Sequence, residues 1–155
     1  MGLFGFGGSS SSGVNLSQLR SALQKEFDGI EFTEKSRTDD KVEITADITA
    51  KKYFDDDISV RIVAYKSGTC HVFMVFDHLD ATYDNLCLIN DYNDHSSFLS
   101  AYISEKKGGN YLELHGSSMD APNTKVLAET IAYLMNEILN ENGLKYLQPL
   151  SRATY

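Results

Sequence analysis

Two stretches of strict alternation limit what this chain can fold into. Val42, Ile44, Ala46, Ile48 and Ala50 interleave with Lys41, Glu43, Thr45, Asp47 and Thr49. After Asp55-Asp56-Asp57, Ile58, Val60, Ile62 and Ala64 resume the same two-residue period. Successive side chains of a strand point to opposite faces, so this period predicts strands with one buried and one wet face. A turn at Ser67-Gly68 follows, and Cys70 to Phe76 then reads Cys-His-Val-Phe-Met-Val-Phe, apolar at nearly every place. Such a run predicts a strand covered on both faces, either central in the sheet or under another subunit. The connections are too short for parallel crossovers, so the strands form an antiparallel meander.

Helical spacing brackets these strands. Asn15 caps a first helix, with Gln18 placed for a capping box and Val14 and Leu19 at the staple positions. Leu16, Leu19, Leu23 and Phe27 form its buried stripe, and Gly29 is the expected left-handed stop. Thr82 or Asp80 opens a second helix running through Leu86, Cys87, Leu88, Ile89 and Tyr92 to about Asp94. Residues 98–105 and 110–116 then make a hairpin across Lys107-Gly108-Gly109. A last helix starts near Pro122-Asn123, carries Leu127, Ile131, Leu134 and Ile138 on one stripe, and stops at Asn142-Gly143. The order is helix, three or four strands, helix, two strands, helix. It predicts an α+β fold, with a single antiparallel sheet of five or six strands and three helices.

The sequence has 155 residues, 42% of them hydrophobic, which suits one domain over residues 14–150. Residues 1–13, rich in Gly and Ser, read as a flexible leader, its tip carrying Leu3, Phe4 and Phe6; residues 151–155 read as a tail. The formal charge is −8, and the few paired cations, Lys51-Lys52 and Lys106-Lys107, are scattered. That balance argues against a nucleic-acid partner. No apolar run reaches the ~18 residues of a membrane span, and Met1 to Phe6 lacks the basic start of a secretory signal. Cys70 and Cys87 are the only cysteines and form no CxxC, so a reduced, cytoplasmic setting is expected.

No catalytic, metal or cofactor set is assembled by spacing. Asp55-Asp56-Asp57 has neither the Gly nor the distal Glu of a calcium loop and reads as a turn. His71, His78, His95 and His115 form no HxH or HxxxH pair, and His71 faces away from its neighbour Cys70. Cys87 reads as a small hydrophobe in a helix. Gly116-Ser117-Ser118 reads as the loop before the last helix. Asn90 and Asn93, three apart at the end of the second helix, either bond carbonyls and the following strand or face a partner.

The run Leu88-Ile89-Asn90-Asp91-Tyr92-Asn93, then Phe98, a hairpin with Leu112 and Leu114 and a closing amphipathic helix, resembles the YbjN-like family. That family is described as bacterial sensory-transduction regulators with a fold like that of type III secretion chaperones. The resemblance spans residues 86–147 and implies a helix–sheet–helix domain, paired in the related chaperones, with no catalytic residues to carry over. The expected function is therefore non-enzymatic: a chaperone-like or regulatory module that binds another polypeptide as a homodimer. Phe73, Val75, Asn90 and Asn93 are the expected partner-binding residues. Two alternatives stay open. One is a small-molecule sensor with Phe98, Tyr102 and Tyr111 around a cavity; the other is an enzyme joining Asp55–Asp57, a histidine and Cys87.

Overall fold

A computed structural model describes residues 13–50, 54, 57–140, 143 and 147. The expected leader (except Gly13), Asp55 and Asp56 of the acidic turn, and the tail lie outside the described residues. The elements are α1 (Leu16–Glu26), β1 (Thr33–Arg37), β2 (Lys41–Ile48), β3 (Ile58–Tyr65), β4 (Cys70–His78), α2 (Tyr83–His95), β5 (Leu99–Lys106), β6 (Gly109–Ser118) and α3 (Thr124–Leu139). The six strands form one antiparallel sheet in the order β1-β2-β3-β4-β6-β5. This is the α+β domain expected from the alternation, with four strands in the meander.

The helix starts follow the sequence closely. Asn15 Oδ1 accepts the Ser17 amide at 3.1 Å, and Asn123 Oδ1 accepts the Val126 amide at 3.0 Å. The two starts are tied together, because the Asn15 amide donates to Thr124 Oγ1 at 2.7 Å. The helix ends depart from expectation. Helix α1 stops at Glu26, where Phe27 turns extended (φ −131°, ψ 118°), while Gly29 (φ +82°) serves the turn beyond. Helix α3 stops at Asn140, before Gly143. Asn140 Nδ2 donates to the carbonyls of Asn136 and Glu137, and its Oδ1 accepts the Gly143 amide, so one side chain satisfies groups on both sides of the break.

One face of the sheet makes the core. Val42, Ile44 and Ala46 of β2, Ile58, Val60, Ile62 and Ala64 of β3, and Cys70, Val72, Met74 and Phe76 of β4 are all buried. Register places Ile44, Ile62, Val72, Gly116 and Leu99 in one transverse row, so these side chains share a face. The stripes of α1 (Leu16, Leu19, Leu23) and α3 (Leu127, Ile131, Leu134, Ile138) belong to the same core. Each large side chain buried this way contributes roughly 1.5–3 kcal/mol.

Strand β4 is central, as expected, but only one of its faces is covered. Cys70, Val72, Met74 and Phe76 lie in the core, whereas His71, Phe73 and Val75 on the other face are only half-buried. The apolar run therefore does not mark a strand covered on both faces by the described residues; no described helix or strand packs over its second face, the open face. One further expectation changes. Gly116-Ser117-Ser118 continues β6 instead of forming a loop, since Cys70, His71 and Val72 pair with Ser118, Ser117 and Gly116. Edge strand β1, Thr-Glu-Lys-Ser-Arg, has no apolar alternation, and its charges and its bulge between Glu34 and Ser36 suit an edge that must not recruit another strand.

Candidate interaction surface

The open face is built by side chains that strict alternation throws away from the core. Its central row runs Thr33, Thr45, Arg61, Phe73, His115 and Ser100 across the sheet; Val63 and His71 lie in the row on one side, Val75, Glu113 and Tyr102 in the row on the other. Alpha-helical elements pack on the opposite face, through core residues such as Leu19, Ile89 and Leu134.

Rings dominate the middle. Phe73 and His115 stack with centroids 4.6 Å apart at 9°, and His71 stacks on His115 at 5.3 Å and 17°. The Arg61 guanidinium sits 4.5 Å from the Phe73 centroid, within cation–π range. His71 Nδ1 and His115 Nε2 face each other at 3.1 Å, a hydrogen bond in which one ring donates and the other accepts. Burial holds the His115 pKa below its ordinary value and the nearby His71 adds to this, while Glu113 opposes it. The shift favours the neutral imidazole.

Beside the rings, Glu113 is nearly fully buried (3% exposed) although it points to the open side. Its carboxylate pairs with the Lys106 ammonium and accepts the Tyr102 hydroxyl at 2.7 Å. Burial raises the Glu113 pKa, but hydrogen bonds from Lys106, Tyr102 and Ser104 outweigh it and leave the carboxyl below its usual range. Tyr102 is pushed up to about 12, first by burial and then by its bond to Glu113. The face therefore offers an apolar, ring-lined centre between a cation stacked on Phe73 and a neutralised ion pair.

Phe73 and Val75 both lie on this face, half-buried. Asn90 and Asn93 lie elsewhere, on α2. Asn93 Nδ2 donates to the Ala101 carbonyl at 2.9 Å and its Oδ1 accepts the Ala101 amide at 2.7 Å, so its polar groups serve β5. Asn90 is exposed on α2, whose outer side also carries Cys87 and the exposed Tyr83 and Leu86. Cys87 is thus no core hydrophobe.

The rival site residues are scattered. Tyr102 is engaged with Glu113, Tyr111 packs on His78 with centroids 4.1 Å apart, and Phe98 meets Tyr133 edge-on, 51% exposed. These three aromatics thus have separate partners. Cys87 sits on α2, on the other side of the sheet from His71 and His115. Among the described residues, no three or more His, Cys, Asp or Glu are grouped to hold a metal ion. A cleft of about 1000 Å3 opens at the joined starts of α1 and α3, lined in part by Arg37, Lys66 and Lys125. Two of those cations are already paired, Arg37 with Glu34 and Lys125 with Glu129.

Sequence reasoning missed His71, His115, Arg61 and Glu113 as one constellation. The only available signal was their shared odd-numbered places on alternating strands. No family model, no curated protein and no solved structure matches the chain. No helix among the described residues is long and apolar enough to cross a membrane.

Proposed function

We propose that this chain is a non-enzymatic interaction module, chaperone-like or regulatory in kind, that works as a homodimer joined through the open face of its sheet. The observation that carries this reading is the sheet face that no described helix covers, with Phe73 and Val75 at its middle. Its size suits the purpose. A six-stranded sheet with strands of eight residues or so covers roughly 29 by 26 Å, or about 750 Å2. A standard interface takes about 800 Å2 from each partner. Its chemistry suits a second copy, because Arg61, Lys106, Glu43 and Asp47 bring both charges to the same face. A two-fold contact needs such self-complementarity, and sheets pack face to face at about 30°.

The resemblance of residues 86–147 to YbjN-like regulators, and through them to paired secretion chaperones, supports the same reading. In a homodimer built this way, α2 stays outside the contact. Its exposed Tyr83, Leu86 and Asn90 are then the surface left for another polypeptide.

Light scattering over a dilution series tests the proposal. The wild-type chain, 17.3 kDa, should run at twice that mass at tens of micromolar, and Phe73→Asp with Val75→Asp should run as a folded monomer. A wild-type chain that stays monomeric at every concentration overturns it.

A further inference from the structure

We propose that His71 and His115 form a two-point chelate on the open sheet face for a late first-row divalent cation, with Cu2+ held more tightly than Zn2+. The residues come from β4 and β6, and their side chains lie diagonally across the ladder, since Phe73 rather than His71 is the register partner of His115. The facing nitrogens, His71 Nδ1 and His115 Nε2, are 3.1 Å apart. Metal–imidazole bonds are about 2.0–2.1 Å, so two nitrogens on one ion stand about 2.9 Å apart at a right angle and about 3.4 Å apart at the tetrahedral angle. The observed separation lies inside that interval. The ion needs only a turn of each ring toward a common point above the sheet.

The surroundings favour ligation over simple solvation. His115 is stacked on Phe73, and His71 meets the Tyr65 ring edge-on at 6.2 Å, so both rings sit against aromatic neighbours on the sheet. A neutral imidazole is the form that binds a metal. Without an ion, one of the facing nitrogens carries the shared proton. On binding, that ring moves its proton to its remote nitrogen, so both facing lone pairs become available without net proton loss. The nearest carboxylate on the same strand face, Glu113, is already committed to Lys106 and Tyr102. Water completes the coordination sphere in the unpaired chain; a dimer closed through this face would exclude it, so the ion and the sheet-to-sheet contact compete for the same surface. Imidazole donors select Cu2+, Ni2+ and Zn2+ over Mg2+ and Ca2+, and among them Cu2+ binds most tightly.

The test is calorimetric titration of the full chain, free of any affinity tag, with CuCl2 and separately with ZnCl2 near neutral pH. One ion should bind per chain, Cu2+ roughly tenfold or more tighter than Zn2+, with affinity falling as the buffer is acidified toward about pH 5.5. His71→Asn and His115→Asn should each weaken Cu2+ by roughly tenfold or more, while His95→Asn, on exposed helix α2, should change nothing. Electron paramagnetic resonance of the Cu2+-loaded wild type gives a readout that needs no variant. Two imidazole nitrogens on the copper support the chelate. Absence of saturable binding, an affinity unchanged in both variants, or a copper signal without two nitrogen donors overturns it.

Discussion

The Asn93 carboxamide holds both backbone groups of Ala101, donating to the carbonyl at 2.9 Å and accepting the amide at 2.7 Å. Strand β5 is the last strand of the sheet, and the two-residue link Lys107–Gly108 fixes its ladder so that Lys106 faces Gly109. Ala101 therefore turns its N–H and C=O away from β6, toward the free edge. Asn93 makes the two bonds an added strand would make, and Ser96 Oγ takes the Leu99 amide two residues earlier at 3.2 Å. The corner between α2 and β5 closes the first half of an edge that would otherwise recruit other chains.

Removing that grip should be costly. Asn93→Ala leaves two part-buried backbone groups without partners, a loss of about 2–3 kcal/mol. Urea unfolding reads the loss, and hydrogen exchange at the Ala101 amide should accelerate. Stability within about 0.5 kcal/mol of wild type contradicts the role.

The Glu113 pair predicts an acid limb in stability. Its carboxyl lies below its usual range in the fold, so the stabilisation is present above the unfolded carboxylate pKa of about 4.3 and is lost as pH falls through the lower folded value. Lys106 is 40% exposed, and solvent screens its share of the pair. Glu113→Gln should cost about 1–2 kcal/mol at neutral pH and flatten the acid limb, as measured by urea unfolding between pH 2.5 and 7.

His115 acts in a higher window with the same sign. The fold lowers its pKa below 6.5, so on acidification the unfolded chain takes up a proton that the folded chain resists. Stability is full above about pH 6.5 and falls as pH drops toward the folded value. His115→Gln should remove that slope and leave the Glu113 limb intact. An unchanged slope in thermal melts across pH 5–7 contradicts the assignment.

Two glycines with positive φ should respond differently to alanine. At Gly68 (φ +91°) a Cβ would overlap the Ala121 backbone, which also donates its amide to the Gly68 carbonyl at 3.2 Å. At Gly29 (φ +82°) a Cβ meets nothing within 4 Å. Gly29→Ala should therefore cost only about 1 kcal/mol of backbone preference, and Gly68→Ala at least twice as much, with thermal denaturation ranking them.

The parts of the fold that local pattern encodes were legible: the cap Asn15, the helix starts at Thr82 or Asp80 and near Pro122-Asn123, the helical stripes and the alternating strands. Strand β1 was not, because its residues are set by pairing with β2 and not by a buried face of their own. Asn90 and Asn93 looked equivalent in sequence, since three residues of helix leave side chains only about 60° apart, yet Asn93 reaches β5 while Asn90 stays exposed. The candidate face was half legible. Phe73 and Val75 announced a surplus of apolar strand, but His71 and His115 are 44 residues apart and meet only through the β4–β6 register, which no local spacing reveals.

Isotope-filtered nuclear Overhauser spectroscopy on an equal mixture of 13C-labelled and unlabelled chain tests the central claim most directly. Sheet-to-sheet association predicts intermolecular cross-peaks to the Phe73 ring and the Val75 methyls. Cross-peaks confined to α2 or the β1 edge, or none at concentrations of several hundred micromolar, contradict it.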